Sequence, residues 1–280
     1  MDKVLSFEQE WTRQCSNRPQ ILRFMRDAIG VVEVQWGMLT TLNLSKVRDY
    51  ICTKVAGNSA CTYLAVLKAF LSRYTDEGVI PCKNPAKELK TKRVPSQNVF
   101  LTESEIELIE KYKPKNDCER DIKAAFLIEC YLGARRCDVL ELNENNIMDG
   151  RIVYVSKKTH VECSVPIHRN LLKYLHYKPK KSHERAVYNR TIQRICREVG
   201  ITTEIQIFYH GKLQKKPKCE FVGSHTARRS FCSNLAQRGV DIYTIASLAG
   251  HQQNITMTQR YIIPDTDQLS AEAMSFFAGK

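Results

Sequence analysis

No stretch of this 280-residue sequence is apolar for long enough to cross a bilayer, and the opening residues, MDKVLSFEQEW, lack the apolar core of a secretory signal. The first absence excludes a helical membrane protein, the second a secreted one, and a cytoplasmic protein is the expectation. The 11 cysteines contain no CxxC pair, and their odd number follows no ligand spacing. A disulfide framework and a zinc site are thereby excluded. Cys61, Cys130 and Cys196 fall at apolar helical positions, where a thiol serves as a small hydrophobe. Internal repeats and low-complexity segments are also missing. Acidic residues are the minority, with 30 Asp and Glu against 43 Lys and Arg, a formal charge of +13. A field of that sign favours polyanions, of which nucleic acid is the commonest.

What is present reads as a mainly α chain with small β-hairpins, an α+β class divided into two domains. Residues 1–82 form a helical domain, 83–98 a basic linker and 99–280 a second domain. In the first, Ile21, Phe24, Met25 and Ala28 share one face of a helix over 20–29. Ser45 is a candidate cap for a helix over 46–56. Ser59 is another, for a helix whose apolar stripe is Ala60, Tyr63, Leu64, Leu67, Phe70, Leu71 and Tyr74. The linker, KNPAKELKTKRVPS, has no apolar periodicity and carries Lys83, Lys87, Lys90, Lys92 and Arg93, so it is expected to be extended and wet.

The second domain opens at the capping box Thr102-Glu-Ser-Glu105. A helix over 121–132 is apolar on most faces and should be buried on several sides. Two β-branched runs, 152–155 and 163–167, read as a hairpin. A helix over 183–199 stops at Gly200. Residues 205–209 and 220–222 read as a second hairpin around the basic loop GKLQKKPK. Helices then follow over 226–238, 241–249, a short piece before Tyr261, and 267–277.

Four patterns in this domain carry chemistry: Gly133-Ala134-Arg135, Lys158-Thr159, His225-Thr-Ala-Arg228, and Ala249-Gly250-His251 with Tyr261 ten residues on. Singly each has an ordinary structural reading. A glycine beside an arginine closes a helix, a strand lysine is solvated, and a tyrosine at a helix end packs its ring. In this order, and with the flanks YLGARRCDVLEL, SHTARRSFCSNLAQRGVDIYTIASLAGH and MTQRYI, they resemble the tyrosine recombinase (phage integrase) family over roughly residues 101–280.

The resemblance implies a DNA-breaking and rejoining enzyme that needs no metal or other cofactor. Its implied catalytic set is Arg135, Lys158, His225, Arg228, His251 and Tyr261. Arg135 and Arg228 would grip the non-bridging oxygens of one phosphate, and Tyr261 would attack it to give a 3′-phosphotyrosine. Lys158 would protonate the leaving 5′-oxygen, His225 would assist proton transfer at the tyrosine, and His251 would hold a phosphate oxygen and seat Tyr261. Two positions stay open between neighbours. Gly-x-Arg spacing favours Arg135 over Arg136, and the Lys-Thr pair favours Lys158 over Lys157 on alternating strand faces. Asp138 matches an acidic position of the family and is expected to orient the first arginine from behind.

By the same resemblance, residues 1–82 are a core-binding domain and the linker cations touch phosphates. The layout is that of Xer and Cre recombinases, without a preceding arm-binding domain. The partner is double-stranded DNA, held by a tetramer on two sites. The apolar set Leu269, Ala273, Met274, Phe276 and Phe277 would dock in trans on a neighbouring subunit. DNA-bending or directionality factors are possible accessories, and no membrane is involved. The role expected is recombination for a mobile element; the alternatives are Xer-like dimer resolution, DNA inversion, relaxation by a type IB topoisomerase, or a regulator that binds without cutting.

Overall fold

The structure is a computed structural model that describes residues 5–75, 78–93, 97–175, 183–209, 212–251 and 255–263. They fall into two units, Met1–Gln97 with Phe208–Gln214, and Asn98–Ile207 with Lys215–Lys280. The first contains α1 (Phe7–Cys15), α2 (Pro19–Ile29), α3 (Thr41–Lys54), α4 (Gly57–Thr75) and α5 (Pro85–Glu88). Ser6 starts α1 with a reciprocal cap, its hydroxyl accepting from the Gln9 amide while the Gln9 side chain accepts from the Ser6 amide. The apolar stripes expected on α2 and α4 meet in a core of Phe7, Trp11, Met25, Leu44, Ile51, Leu64, Leu67 and Phe70. Phe70 is its hub, edge-on to Phe7 at 5.7 Å and to Trp11 at 5.0 Å.

Three helix starts differ from those expected. Thr40, not Ser45, caps α3 by accepting from the Asn43 amide, and the extra turn adds Leu44 to the core. Ser45 sits inside the helix and donates to Glu88 at 2.9 Å. α4 begins at Gly57, two residues ahead of Ser59. The third is the linker itself, which is not extended over residues 84–89. Asn84 caps α5 by accepting from the Lys87 amide, Pro85 occupies its first turn, and Leu89 is buried beside Cys82. One turn of helix is too short to show periodicity, which is why the composition suggested open chain. Lys83, Lys87, Lys90, Lys92 and Arg93 are all exposed.

The second unit contains α6 (Glu103–Lys111), α7 (Asp117–Leu132), α8 (Arg136–Val139), β1 (Ile147–Met148), β2 (Arg151–Val155), β3 (Glu162–Pro166), α9 (Leu172–Leu175), α10 (Arg185–Glu198), most of β4 (Glu204–Tyr209), the end of β5 (Lys212–Pro217), α11 (Thr226–Gln237), α12 (Ile242–Leu248) and α13 (Ile255–Gln259). The Thr102–Glu105 capping box forms as expected. α7 is buried on nearly every face, and α11 packs along it. β1, β2 and β3 make an antiparallel sheet with Ile152 opposite Val165 and Tyr154 opposite Cys163, all four buried.

The second hairpin corrects the expectation. The basic segment is itself the strand β5, paired with β4, and residues Lys218–Phe221 form a 3-10 turn instead of a strand. Cys219 and Phe221 are buried, so the apolar character of that stretch serves the packing against α10, while the exposed β5 needs only backbone pairing. Among the described residues no helix is long and apolar enough to cross a membrane. The helix expected over 267–277 lies outside the described residues.

Candidate active site

α7 ends on Gly133, whose φ of +67° is left-handed. A Cβ there would stand 2.4 Å from the Phe231 ring, so the close approach of α11 requires glycine. Two residues on, Arg135 lies in extended backbone at the cap of α8 and donates from Nη1 to Ser156 Oγ at 2.8 Å. Arg136 turns instead onto the Tyr188 ring, its guanidinium carbon 4.9 Å from the centroid. Asp138 is buried and forms no hydrogen bond or ion pair with Arg135. It accepts from Ser156 Oγ at 3.1 Å and from the Lys157 amide at 2.9 Å, so its connection to the first arginine runs through a serine.

Arg228 comes from the first turns of α11 and is 1% exposed. Its Nη1 donates to the Gly133 carbonyl at 2.6 Å and its Nη2 to the Ala249 carbonyl, while Nε has no hydrogen-bond partner. The two carbonyls sit at two glycine turns of the unit, one at Gly133 and one just before Gly250. At the second, Gly250 has φ +64° and a Cβ would lie 2.5 Å from Cys163 Sγ. The guanidinium is thus gripped from both sides before any ligand arrives.

His251 follows directly and is 5% exposed. Its Nδ1 lies 3.0 Å from Thr258 Oγ1 on α13, while its Nε2 is buried without a partner. The Tyr261 ring packs 4.9 Å from the His251 ring, 5.4 Å from the Arg228 guanidinium carbon and 5.7 Å from that of Arg229. Ser233 Oγ donates to the Tyr261 carbonyl at 3.2 Å and accepts from the Ile263 amide at 2.9 Å, tying this segment to α11.

His225 caps the start of α11 with an exposed edge. The protein packed around its ring, then the charges of Arg229, Arg185, Arg228 and Lys158, push its pKa down to about 4. Burial first, then Arg228 and Arg135, push His251 down to about 3. Both imidazoles are therefore neutral at pH 7. Burial, then Arg135, also lowers Arg228. Lys157 and Lys158 lie in the turn between β2 and β3, not on opposite faces of a strand. Lys157 pairs with Glu141 at 2.8 Å, whereas the charge of the exposed Lys158 acts on His225.

Five of the six expected catalytic residues are thus joined by packing, by shared partners or by mutual charge, and the sixth, Lys158, is linked through its field at His225. Beside the Tyr261 ring stand the His251 imidazole and the Arg228 guanidinium, with Arg228 Nε and His251 Nε2 buried without a partner, and the charges of Arg135 and Lys158 reach Arg228, His251 and His225. Such a cluster is suited to an anion that a phenol attacks. Among the described residues no three His, Cys, Asp or Glu side chains converge to hold a metal ion. Sequence reasoning missed Ser156, Ser233, Thr258 and Arg229. The three small hydroxyls have no spacing signal, and Arg229 was hidden behind the neighbouring Arg228.

Residues 99–267 match the Phage integrase family. In sequence the chain is similar to the tyrosine recombinase XerC of Rickettsia prowazekii (strain Madrid E), 24% identical over 262 residues that cover 83% of this chain and 79% of that protein. In structure it is similar to a lambda integrase(75-356) dimer bound to a COC′ core site, with TM-score 0.66 and 16% identity, covering 92% of this chain and 95% of that one. It is also similar to a lambda integrase tetramer bound to a Holliday junction, with TM-score 0.63 and 14% identity over 90% of this chain and 79% of that one. At these identities the structural likeness speaks to the fold.

Proposed function

This chain belongs to the phage integrase family, and we propose that it is a site-specific DNA recombinase that cuts and rejoins duplex DNA through Tyr261. The observation that carries the reading is the packing of the Tyr261 ring against His251 and under the Arg228 guanidinium within one chain. A phosphodiester resists attack because its own charge repels nucleophiles. Arg135 and Arg228 offset that charge on the non-bridging oxygens, and Arg228 enters the reaction already held by two backbone carbonyls. His251, with Nδ1 occupied by Thr258, offers Nε2 to a phosphate oxygen.

The Tyr261 phenolic oxygen forms a bond to phosphorus as the bond to the 5′-oxygen breaks, leaving a 3′-phosphotyrosine. One phosphoester replaces another, so the return attack by a 5′-hydroxyl needs no external energy source. His225, kept neutral by burial and then by its cationic surroundings, takes up the phenol's proton. Lys158, free of the ion pair that occupies Lys157, gives a proton to the leaving 5′-oxygen. Asp138 stands behind Arg135.

The exposed Lys83, Lys87, Lys90, Lys92 and Arg93 contact the DNA backbone, giving affinity without sequence readout and a steep dependence on salt. The first unit is the core-binding domain. The assembly is a tetramer on two sites, with the segment over 267–277 docking on a neighbouring subunit and DNA-bending or directionality factors as accessories. The enzyme acts in the cytoplasm, for a mobile element. The likeness to XerC favours one second reading, resolution of DNA dimers.

Nicked suicide duplexes drawn from the DNA flanking the coding region test the proposal. Wild-type protein is expected to be trapped covalently on denaturing gels, and Tyr261→Phe to bind the same DNA without trapping. Trapping that persists in Tyr261→Phe moves the nucleophile elsewhere, and binding without trapping in the wild type makes the protein a non-cutting regulator.

A further inference from the structure

One buried hydroxyl has no place in the reaction outlined above, yet it touches two parts of the site at once. Ser156 is 0% exposed and stands at the end of β2, where the chain enters the turn that carries Lys158. Its Oγ accepts from Arg135 Nη1 at 2.8 Å and donates to Asp138 Oδ2 at 3.1 Å. Its amide donates to the Val161 carbonyl at 2.9 Å, and its carbonyl accepts from the His160 amide at 2.8 Å. The same Asp138 accepts from the Lys157 amide through its other oxygen at 2.9 Å. One carboxylate therefore holds both the hydroxyl that meets Arg135 and the backbone of the turn.

We propose that Ser156 is a positioning residue of the cleavage reaction, the bridge through which Asp138 fixes the Arg135 guanidinium against the phosphate and locks it in register with the Lys158 turn; the inference rests on the recombinase reading. A hydroxyl suits this place for a physical reason. Direct pairing of Arg135 with Asp138 would neutralise the guanidinium and draw it away from an anionic substrate. A serine between them passes orientation along a chain of hydrogen bonds and leaves the guanidinium's remaining donors for the phosphate. Because Ser156 is fully buried, loss of its hydroxyl frees Arg135 to collapse onto the carboxylate.

The test is single-turnover cleavage of a nicked duplex by Ser156→Ala, beside wild type and Tyr261→Phe, on two substrates. One carries the natural phosphodiester at the cut site. The other carries a neutral methylphosphonate there, which has lost the charge a guanidinium offsets. Ser156→Ala is expected to cleave the phosphodiester about 10- to 100-fold more slowly than wild type, as losses of outer hydrogen-bond partners commonly do. Duplex affinity and melting temperature should stay near wild type, and the deficit should largely vanish on the methylphosphonate. Ser156→Thr, which keeps the hydroxyl, should recover most of the phosphodiester rate. An equal deficit on both substrates, a rate unchanged from wild type, or a loss confined to DNA affinity would overturn the assignment. If wild type itself fails to cleave, the recombinase reading has failed instead, and the two failures are separate.

Discussion

The two units bury polar groups to different ends. In the first, the buried carboxylate Glu10 is fully engaged, accepting from Arg13, Gln14 and the Tyr74 hydroxyl, and these bonds pull its pKa down to about 2. Among its described residues only the indole nitrogen of Trp11 is buried without a partner. In the second, Arg228 Nε and His251 Nε2 are among several buried side-chain atoms without a partner, Asn234 Oδ1 and Gln237 Nε2 being others. Burying a polar atom unpaired costs on the order of 1–3 kcal/mol. The first unit minimises that cost, and the second bears it at several places, two of them side by side where a phosphate would settle it. The difference teaches where to look for a reaction: where unpaired donors gather against one reactive side chain, more than at charge as such, since both units carry ion pairs.

Substitutions in the two units should separate rate from stability. The largest effect is expected from Arg228→Ala in the second unit. Cleavage of the suicide duplex should fall by about 10² to 10³ through loss of a charge donor. The melting temperature should drop as well, because the Gly133 and Ala249 carbonyls lose their partner. Leu67→Ala in the core of the first unit should do the opposite: about 2–5 kcal/mol of stability lost in a denaturant titration, with the cleavage rate of the folded fraction unchanged. A slowed rate in Leu67→Ala at full folding, or a normal rate in Arg228→Ala, would erase the distinction.

A further effect is one of pH. The folded pKa of His251, about 3, lies below its ordinary value of 6.5. Between those values the unfolded chain binds a proton that the folded chain refuses. The stability His251 supplies is therefore complete above pH 6.5 and is lost as pH falls toward 3, with a slope of up to about 1.4 kcal/mol per pH unit. Melting curves from pH 7 to 4 should show a shallower acid slope in His251→Asn than in wild type. Identical slopes would mean that the imidazole is not buried neutral.

Much of the site was legible because its members are chemically distinctive and its turns need glycine. Arg135, His225, Arg228, His251 and Tyr261 stood out by type and order, and Gly133 and Gly250 marked where the backbone must double back. Between Arg135 and Arg136 the Gly-x-Arg spacing favoured the first. The structure adds Tyr188, an aromatic ring more than fifty positions downstream, onto which the Arg136 guanidinium turns. Lys158 gained its distinction from Lys157 through Glu141. The linker helix and the strand β5 were illegible for a different reason. A single capped turn and a polar strand carry no periodic apolar signal, since their stability comes from what they pack or pair with.

Sequence alone determined the helical character of both units and pointed to an anionic partner and to the groups proposed to react. Those follow from local periodicity, summed charge and side-chain chemistry, which need no distant neighbour. Only the tertiary structure decided that Arg136 turns onto Tyr188 and Lys157 onto Glu141, that a serine stands between Asp138 and Arg135, and that two backbone carbonyls clasp Arg228. These are contacts between residues as much as 95 positions apart, formed when α7, α11 and the β2–β3 turn close around one point. No window of sequence contains both partners.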